Sequence, residues 1–202
     1  MKKFLLLSLL LTLNLLPSMG QQNAKARDIL DKTYQTYQQT ACLNITFEGT
    51  QQGKILLQDD CFYLESNGIK SWFDGNTQWS YVEQNEEVTI SVPTPEEIQS
   101  INPYALLGMY KKGFGYSYEG LKVRNGKEGY EIRLTPINPE EIADIFLIIS
   151  TDFYPTYIEI NMQSGDKQKI IVTSCKTEDK KPIETFRFHT ADFPKAEIID
   201  MR

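Results

Sequence analysis

The stretch Ser71-Trp-Phe-Asp-Gly-Asn-Thr-Gln-Trp-Ser-Tyr81 places the chain's two tryptophans on either side of a cluster of turn formers. A two-residue turn at Gly75-Asn76, or a four-residue one from Asp74 to Thr77, pairs residues whose numbers sum to 151. Trp72 then stands directly across from Trp79, and Tyr81 follows on the same face. A three-residue loop would instead put Trp72 opposite Gln78 and break the pair. Two short aromatic runs around a tight turn read as a β-hairpin, and the rest of the chain is read outward from it.

Period-two alternation dominates from Cys42 onward. Beyond the hairpin strand QWSYV, the runs EVTISV, LKVR, GYEIRLT, IFLIIS, TYIEINM, QKIIVTS and ETFRFHT are short and rich in β-branched and aromatic residues. Turn signals such as NG, SGD and TEDKK separate them. Tyr130, Ile132 and Leu134 alternate with Glu131 and Arg133, and Phe186 and Phe188 flank Arg187. Such strands build an antiparallel sheet with one apolar face. About ten of them cannot stay flat, so the sheet is expected to curl.

Between residues 42 and 66 the sequence suggests one long hairpin turning at Gln51-Gln52, with paired numbers summing to 103. That register puts Leu43, Ile45, Phe47, Leu56, Phe62 and Leu64 on one face and Cys42 opposite Cys61. Directly opposed residues are close enough for a disulfide. With three cysteines in the chain, one Cys42–Cys61 bridge, a pair using Cys175, or three free thiols are the readings left open.

Two segments are helical in pattern. In AKARDILDKTYQTYQQT, Ala26, Ile29, Leu30, Tyr34 and Tyr37 form one apolar stripe. In SVPTPEEIQSINPYALLGMYKKGFG, Thr94 and Glu97 form a capping box around Pro95, and Asn102-Pro103 ends that turn and starts another through Lys111. Asn138-Pro139-Glu140-Glu141 predicts one further short turn of helix.

The first twenty residues, MKKFLLLSLLLTLNLLPSMG, have a charged start, an uncharged run from Phe4 to Leu16, and small residues Ser18 and Gly20 before Gln21. That is the pattern of a cleaved signal peptide over residues 1–20. The run is shorter than the ~20 residues of a membrane span, and position 21 offers no cysteine for lipid attachment. Residues 21–202 are then one exported, soluble, monomeric domain. The whole chain has a net charge of −6, and losing a leader with two lysines and no acids takes it to −8. Such a balance argues against nucleic acid and against general adsorption to an anionic membrane.

A search for catalytic chemistry returns little. His189 is the single histidine, and no HExxH, GxSxG or phosphate-loop pattern accompanies it. The doublets Asp59-Asp60, Glu86-Glu87, Glu96-Glu97 and Glu140-Glu141 cannot form dyads, since neighbours on a strand face opposite ways. No enzyme, metal site or cofactor is expected. What remains is a curled sheet whose helices either fill its hollow completely or leave a lined cavity for an apolar ligand.

Three stretches carry a resemblance. FDGNTQW resembles the DG-turn-W hairpin of the periplasmic outer-membrane lipoprotein carrier proteins, the LolA type. NPYALL is similar to that family's Asn-Pro-x-x-Leu-Leu helix start, and ETFRFHTADFPKAEIIDMR resembles its closing pattern. The resemblance implies an α+β fold, mainly antiparallel β: a half-open β-barrel made of a single curled sheet, with a helical lid in its concave face. It implies a periplasmic carrier that shields lipoprotein acyl chains between an inner-membrane ABC-type release complex and an outer-membrane acceptor. Phe47, Leu56, Phe62, Leu64, Trp72, Trp79, Tyr81, Phe186 and Phe188 would line the wall, and Leu106 and Leu107 would belong to the lid. The arginine that ties lid to barrel in that family is missing here, where GKILLQDDCFYL carries Asp59-Asp60. The alternatives are a lipid- or lipoprotein-sensing module, or a carrier of another lipid.

Overall fold

A computed structural model describes residues 19–94, 97–98, 110–111 and 113–202. One helix, α1 (Met19–Gln39), precedes twelve strands. These are β1 (Cys42–Gly49), β2 (Gly53–Gln58), β3 (Cys61–Ser66), β4 (Ile69–Phe73), β5 (Gln78–Val82) and β6 (Glu87–Ser91), followed by β7 (Phe114–Arg124), β8 (Lys127–Pro136), β9 (Ile142–Ile149), β10 (Pro155–Met162), β11 (Lys167–Glu178) and β12 (Glu197–Asp200). They form a single sheet in the order β12-β6-β5-β4-β3-β2-β1-β11-β10-β9-β8-β7. Two meanders, β1–β6 and β7–β11, join where β1 pairs β11 antiparallel. Among the described strands only β12 is parallel to its neighbour, β6. β7 and β12 are the two edges, so the sheet is curled and unclosed, a half-open barrel.

Local chemistry explains the tight connections. Asn67-Gly68 and Asn125-Gly126 both take positive φ at both positions, at 50° and 78° and at 49° and 72°. These left-handed pairs close two-residue hairpins whose twist matches the strands. A bulge in β7 between Tyr118 and Gly120, with Gly120 at φ 106°, bends that edge strand.

Helix α1 covers one face of the sheet, here called inner. Ala26, Ile29, Leu30 and Thr33 are buried, and the three apolar ones pack with Leu43, Ile45, Leu57, Ile132 and Leu147. Thr33 satisfies its own hydroxyl by donating to the Ile29 carbonyl at 2.8 Å. Each fully buried aliphatic side chain contributes about 1.5–3 kcal/mol, so the stripe holds the helix in the hollow. The capping box is present: the Thr94 amide donates to Glu97 at 2.8 Å and the Glu97 amide to the Thr94 hydroxyl at 3.3 Å.

Several expectations are corrected. The region from 42 to 66 is three strands, because Asp59, at φ 50°, and Asp60 form a second turn. β1 and β2 pair Leu43 with Leu57 and Ile45 with Ile55, three residues out of the expected register. Cys42 consequently faces Glu178 and Cys61 faces Gln58. β2 lies between them, and all three cysteines are free thiols. Residues 137–141 form a bend with no helical turn. The Phe186-Arg187-Phe188 run is no strand: Ile183–Phe186 and Thr190–Asp192 are 3-10 turns, and the last strand is β12.

Candidate binding face

Strand register decides which residues each face receives. On the inner face, Leu57 pairs with Phe62, Ile55 with Leu64, Leu134 with Ile145, and Leu147 with Ile132 and Ile158. These join α1 in one buried apolar cluster, with Phe47 and Leu64 at its margin. Phe62 stacks on Phe73 at 5.5 Å between ring centroids and is fully buried. From β7 across to β3 the inner face is therefore apolar. Across β4–β6 it turns polar, since Ser71 pairs with Ser80 and Ser80 with Thr89. The Ser71 and Ser80 hydroxyls are 3.1 Å apart, and Gln78 donates to Ser80 at 3.1 Å. Ser71 and Gln78 are buried, and these neutral groups satisfy one another.

Trp72 pairs with Trp79, as the hairpin predicts. Both nevertheless lie on the other face, a correction to the expected wall. Trp72 also pairs with Tyr63, Tyr63 with Leu56, and Leu56 with Asn44, which puts that whole row opposite to Phe62 and Phe73. Leu56 leaves the inner face for the same reason, and Tyr81 belongs with Trp79. The C-terminal segment covers this outer row. Phe188 and Phe193 meet Trp72 edge-on at 5.6 and 5.7 Å, and Phe193 lies 4.6 Å from Tyr81. Phe186 is fully buried in its 3-10 turn, against β3. Phe188 joins the outer cluster with Trp72, Tyr81 and Val88. Leu106 and Leu107 lie outside the described residues.

Alternation alone could not separate the faces here, because Trp72-Phe73, Phe62-Tyr63 and Ile55-Leu56-Leu57 are apolar on both. The missed signal was Phe193, an aromatic residue left without a role, which with Phe188 needed a partner surface. Inner residues not singled out in the sequence reading include Ile55, Leu57, Phe73, Ile145, Leu147 and Ile158.

Contacts around α1 show how the hollow is held. Tyr37 donates to the Asp59 carbonyl at 2.8 Å, so the Asp59-Asp60 turn is tied to the helix end, and Lys180 pairs with the Asp59 carboxylate at 2.9 Å. Burial, with Asp60 and Asp59 nearby, pushes the Tyr37 hydroxyl well above its usual range. Tyr110, entering β7, donates to Asp31 of α1 and stands edge-on to Tyr116. Lys111 lies 4.5 Å over the Tyr34 ring. Among the described residues no group of three or more His, Cys, Asp or Glu could hold a metal. His189 is exposed and hydrogen-bonds the Glu184 carbonyl at 2.9 Å. The described groove of about 460 Å³, around Thr50, Gln52 and Asn67, lies at a hairpin end away from this face.

An unclosed curled sheet that holds a helix against a broad apolar inner face defines the half-open-barrel class of fold. The chain belongs to the outer membrane lipoprotein carrier protein LolA family, whose sequence pattern matches residues 16–166. No curated protein matches it in sequence. Among solved structures, it is similar to an uncharacterized conserved protein from Thermus thermophilus, with 13% identity, TM-score 0.63, and 87% of this chain and 99% of that one covered. A DUF1329 family protein from Desulfovibrio piger shows 10% identity and TM-score 0.50 over 84% and 98% of the two chains. A LolA superfamily protein from Nitrosomonas europaea shows 12% identity and TM-score 0.39 over 81% and 97%. No described helix is long and apolar enough to cross a membrane.

Proposed function

We propose that this protein is an exported, monomeric carrier that shelters lipoprotein acyl chains against the inner face and moves them from the inner to the outer membrane. The observation that carries the reading is the apolar inner tract from β7 to β3, faced by the amphipathic helix α1 in a sheet whose edges do not meet. The polar flank of Ser71, Gln78 and Ser80 suits the ester and amide groups that join acyl chains to their anchor. An inner-membrane ABC-type release complex would load it and an outer-membrane acceptor would unload it.

Magnitudes shape the mechanism. At ~0.8 kcal/mol per buried methylene, one long acyl chain buried throughout would exceed ~12 kcal/mol, the range of nanomolar binding and tighter. A carrier has to release its cargo, so protein groups must compete for the same wall. The Ala26–Ile29–Leu30 stripe already occupies it, and Leu106 and Leu107 are proposed to do the same when the hollow is empty. Displacement of a hydrophobic dye by a diacylated peptide tests this on the purified exported protein. Acylated peptide should displace the dye at low micromolar concentration or below, and the same peptide without its chains should leave it bound. Equal displacement by both would overturn the reading. Free lipid run alongside separates lipoprotein cargo from another lipid.

A further inference from the structure

The β7–β8 hairpin extends past its neighbour. β8 pairs with β9 only between Tyr130 and Leu134, whereas its pairing with β7 continues to Arg124 and Lys127. Its tip carries two large apolar side chains in solvent: Leu121 is 57% exposed and Val123 65%. Single exposed aliphatics are ordinary, but these two share one face. Leu121 pairs with Tyr130, which borders the inner cluster, so that face runs on into the inner wall.

The opposite face of the tip carries Lys122, Arg124 and Lys127. Arg124 turns back onto the sheet, pairing with Glu131 and lying 5.2 Å over the Phe146 ring. Lys122 and Lys127 have no carboxylate partner among the described residues. Glu128 is the one acid between Gly120 and Tyr130; it pairs with Val123 and so stands at the border of the aliphatic face. Just inside, Tyr130 lies 6.3 Å from both Tyr118 and Phe153, and Phe153 takes a φ of 62° that is unusual for a bulky residue. Lys25 and Lys32 of α1 stand over Tyr118 and Phe153 at 4.1 and 5.5 Å. Lys32 is also paired with Asp28 at 2.8 Å. A chain of net charge −6 thus presents, at one rim of its hollow, exposed aliphatics, aromatic rings and three lysines, Lys25, Lys122 and Lys127, with no carboxylate partner among the described residues.

We propose that this hairpin tip docks on an anionic lipid bilayer. Leu121 and Val123 enter the headgroup boundary, Lys122 and Lys127 meet lipid phosphates, and the acidic remainder of the molecule is held off, so that docking is tip-first. If the carrier reading holds, on which this last step rests, the Tyr118–Tyr130–Phe153 rim leads an acyl chain between bilayer and inner face. An amphipathic, basic hairpin fits a lipid surface better than an acidic protein, which would use the cations and leave the aliphatics idle.

Flotation of the purified exported protein with phosphatidylcholine vesicles, with and without phosphatidylglycerol, tests the docking. The protein should float with the anionic vesicles and not with the neutral ones, and added salt should weaken the association. L121S/V123S and K122E/K127E should each lower the bound fraction about tenfold or more, with tryptophan emission and dye displacement by acylated peptide unchanged. No association with anionic vesicles would overturn the proposal. So would undiminished association of L121S/V123S, the result expected if only the cations mattered. Failure of the carrier reading appears in dye displacement and leaves flotation untouched.

Discussion

Asp74 is the residue on which two distant parts of the chain depend. Its Oδ1 accepts from the Asn76 and Thr77 amides at 3.1 and 2.9 Å, closing the turn between the tryptophans, and its Oδ2 accepts from Arg187 at 2.9 Å. Burial works against the charge, but the Thr77 amide, the Arg187 guanidinium and the Asn76 amide outweigh it and hold the carboxyl below the ordinary range. A group depressed in the folded state contributes stability above its unfolded pKa of ~3.9, lost as pH falls through the folded value. Asp74→Ala should therefore lower stability by about 1–3 kcal/mol near neutral pH. The gap to the parent in urea midpoint should shrink below about pH 4; a gap constant down to about pH 2 would contradict this account. Leu56 and Leu57 test the register in the same spirit. Leu57→Ala should cost about 2–5 kcal/mol because it opens a cavity under α1. Leu56→Ala, on the partly open outer face, should cost clearly less in the same denaturation series.

At the scale of elements, the C-terminal segment changes the meaning of the aromatic hairpin. Phe188 and Phe193 clasp Trp72 and Tyr81 from outside, and Arg187 anchors the clasp to Asp74. Two of the motifs that carried the family resemblance therefore touch each other. The hairpin's pairing was legible in the sequence because a short turn between aromatic strands allows few registers. Its face was not, because Trp72 and Phe73 are both apolar and only a cover can tell them apart. Tryptophan emission should thus stay unchanged, to within a few nanometres, when acyl ligand fills the hollow. Phe193→Ala, which uncovers Trp72, should shift it to the red. A ligand-induced shift in the parent protein would return the tryptophans to the wall.

For the whole molecule, an unclosed sheet leaves one apolar wall, with α1 packed on it, and two edges, β7 and β12, that do not meet. On the proposed carrier reading, that geometry would take a cargo whose apolar part is long and whose polar part stays at the rim. The alternation of short strands, the NG turns and the helix stripe at Ala26, Ile29 and Leu30 follow from backbone sterics and residue periods, which act over a few neighbours. From these the sequence by itself determined a helix and a largely antiparallel curled sheet, while the resemblance of three short motifs, FDGNTQW, NPYALL and ETFRFHTADFPKAEIIDMR, pointed to the family. Only the tertiary structure decided that β2 separates Cys42 from Cys61, that Leu57 and not Leu56 faces the helix, and that the tryptophans lie under the C-terminal clasp. The reason is physical: a one-residue shift in register exchanges the two faces of a strand, and where neighbouring residues are both apolar the choice passes to contacts far apart in the chain.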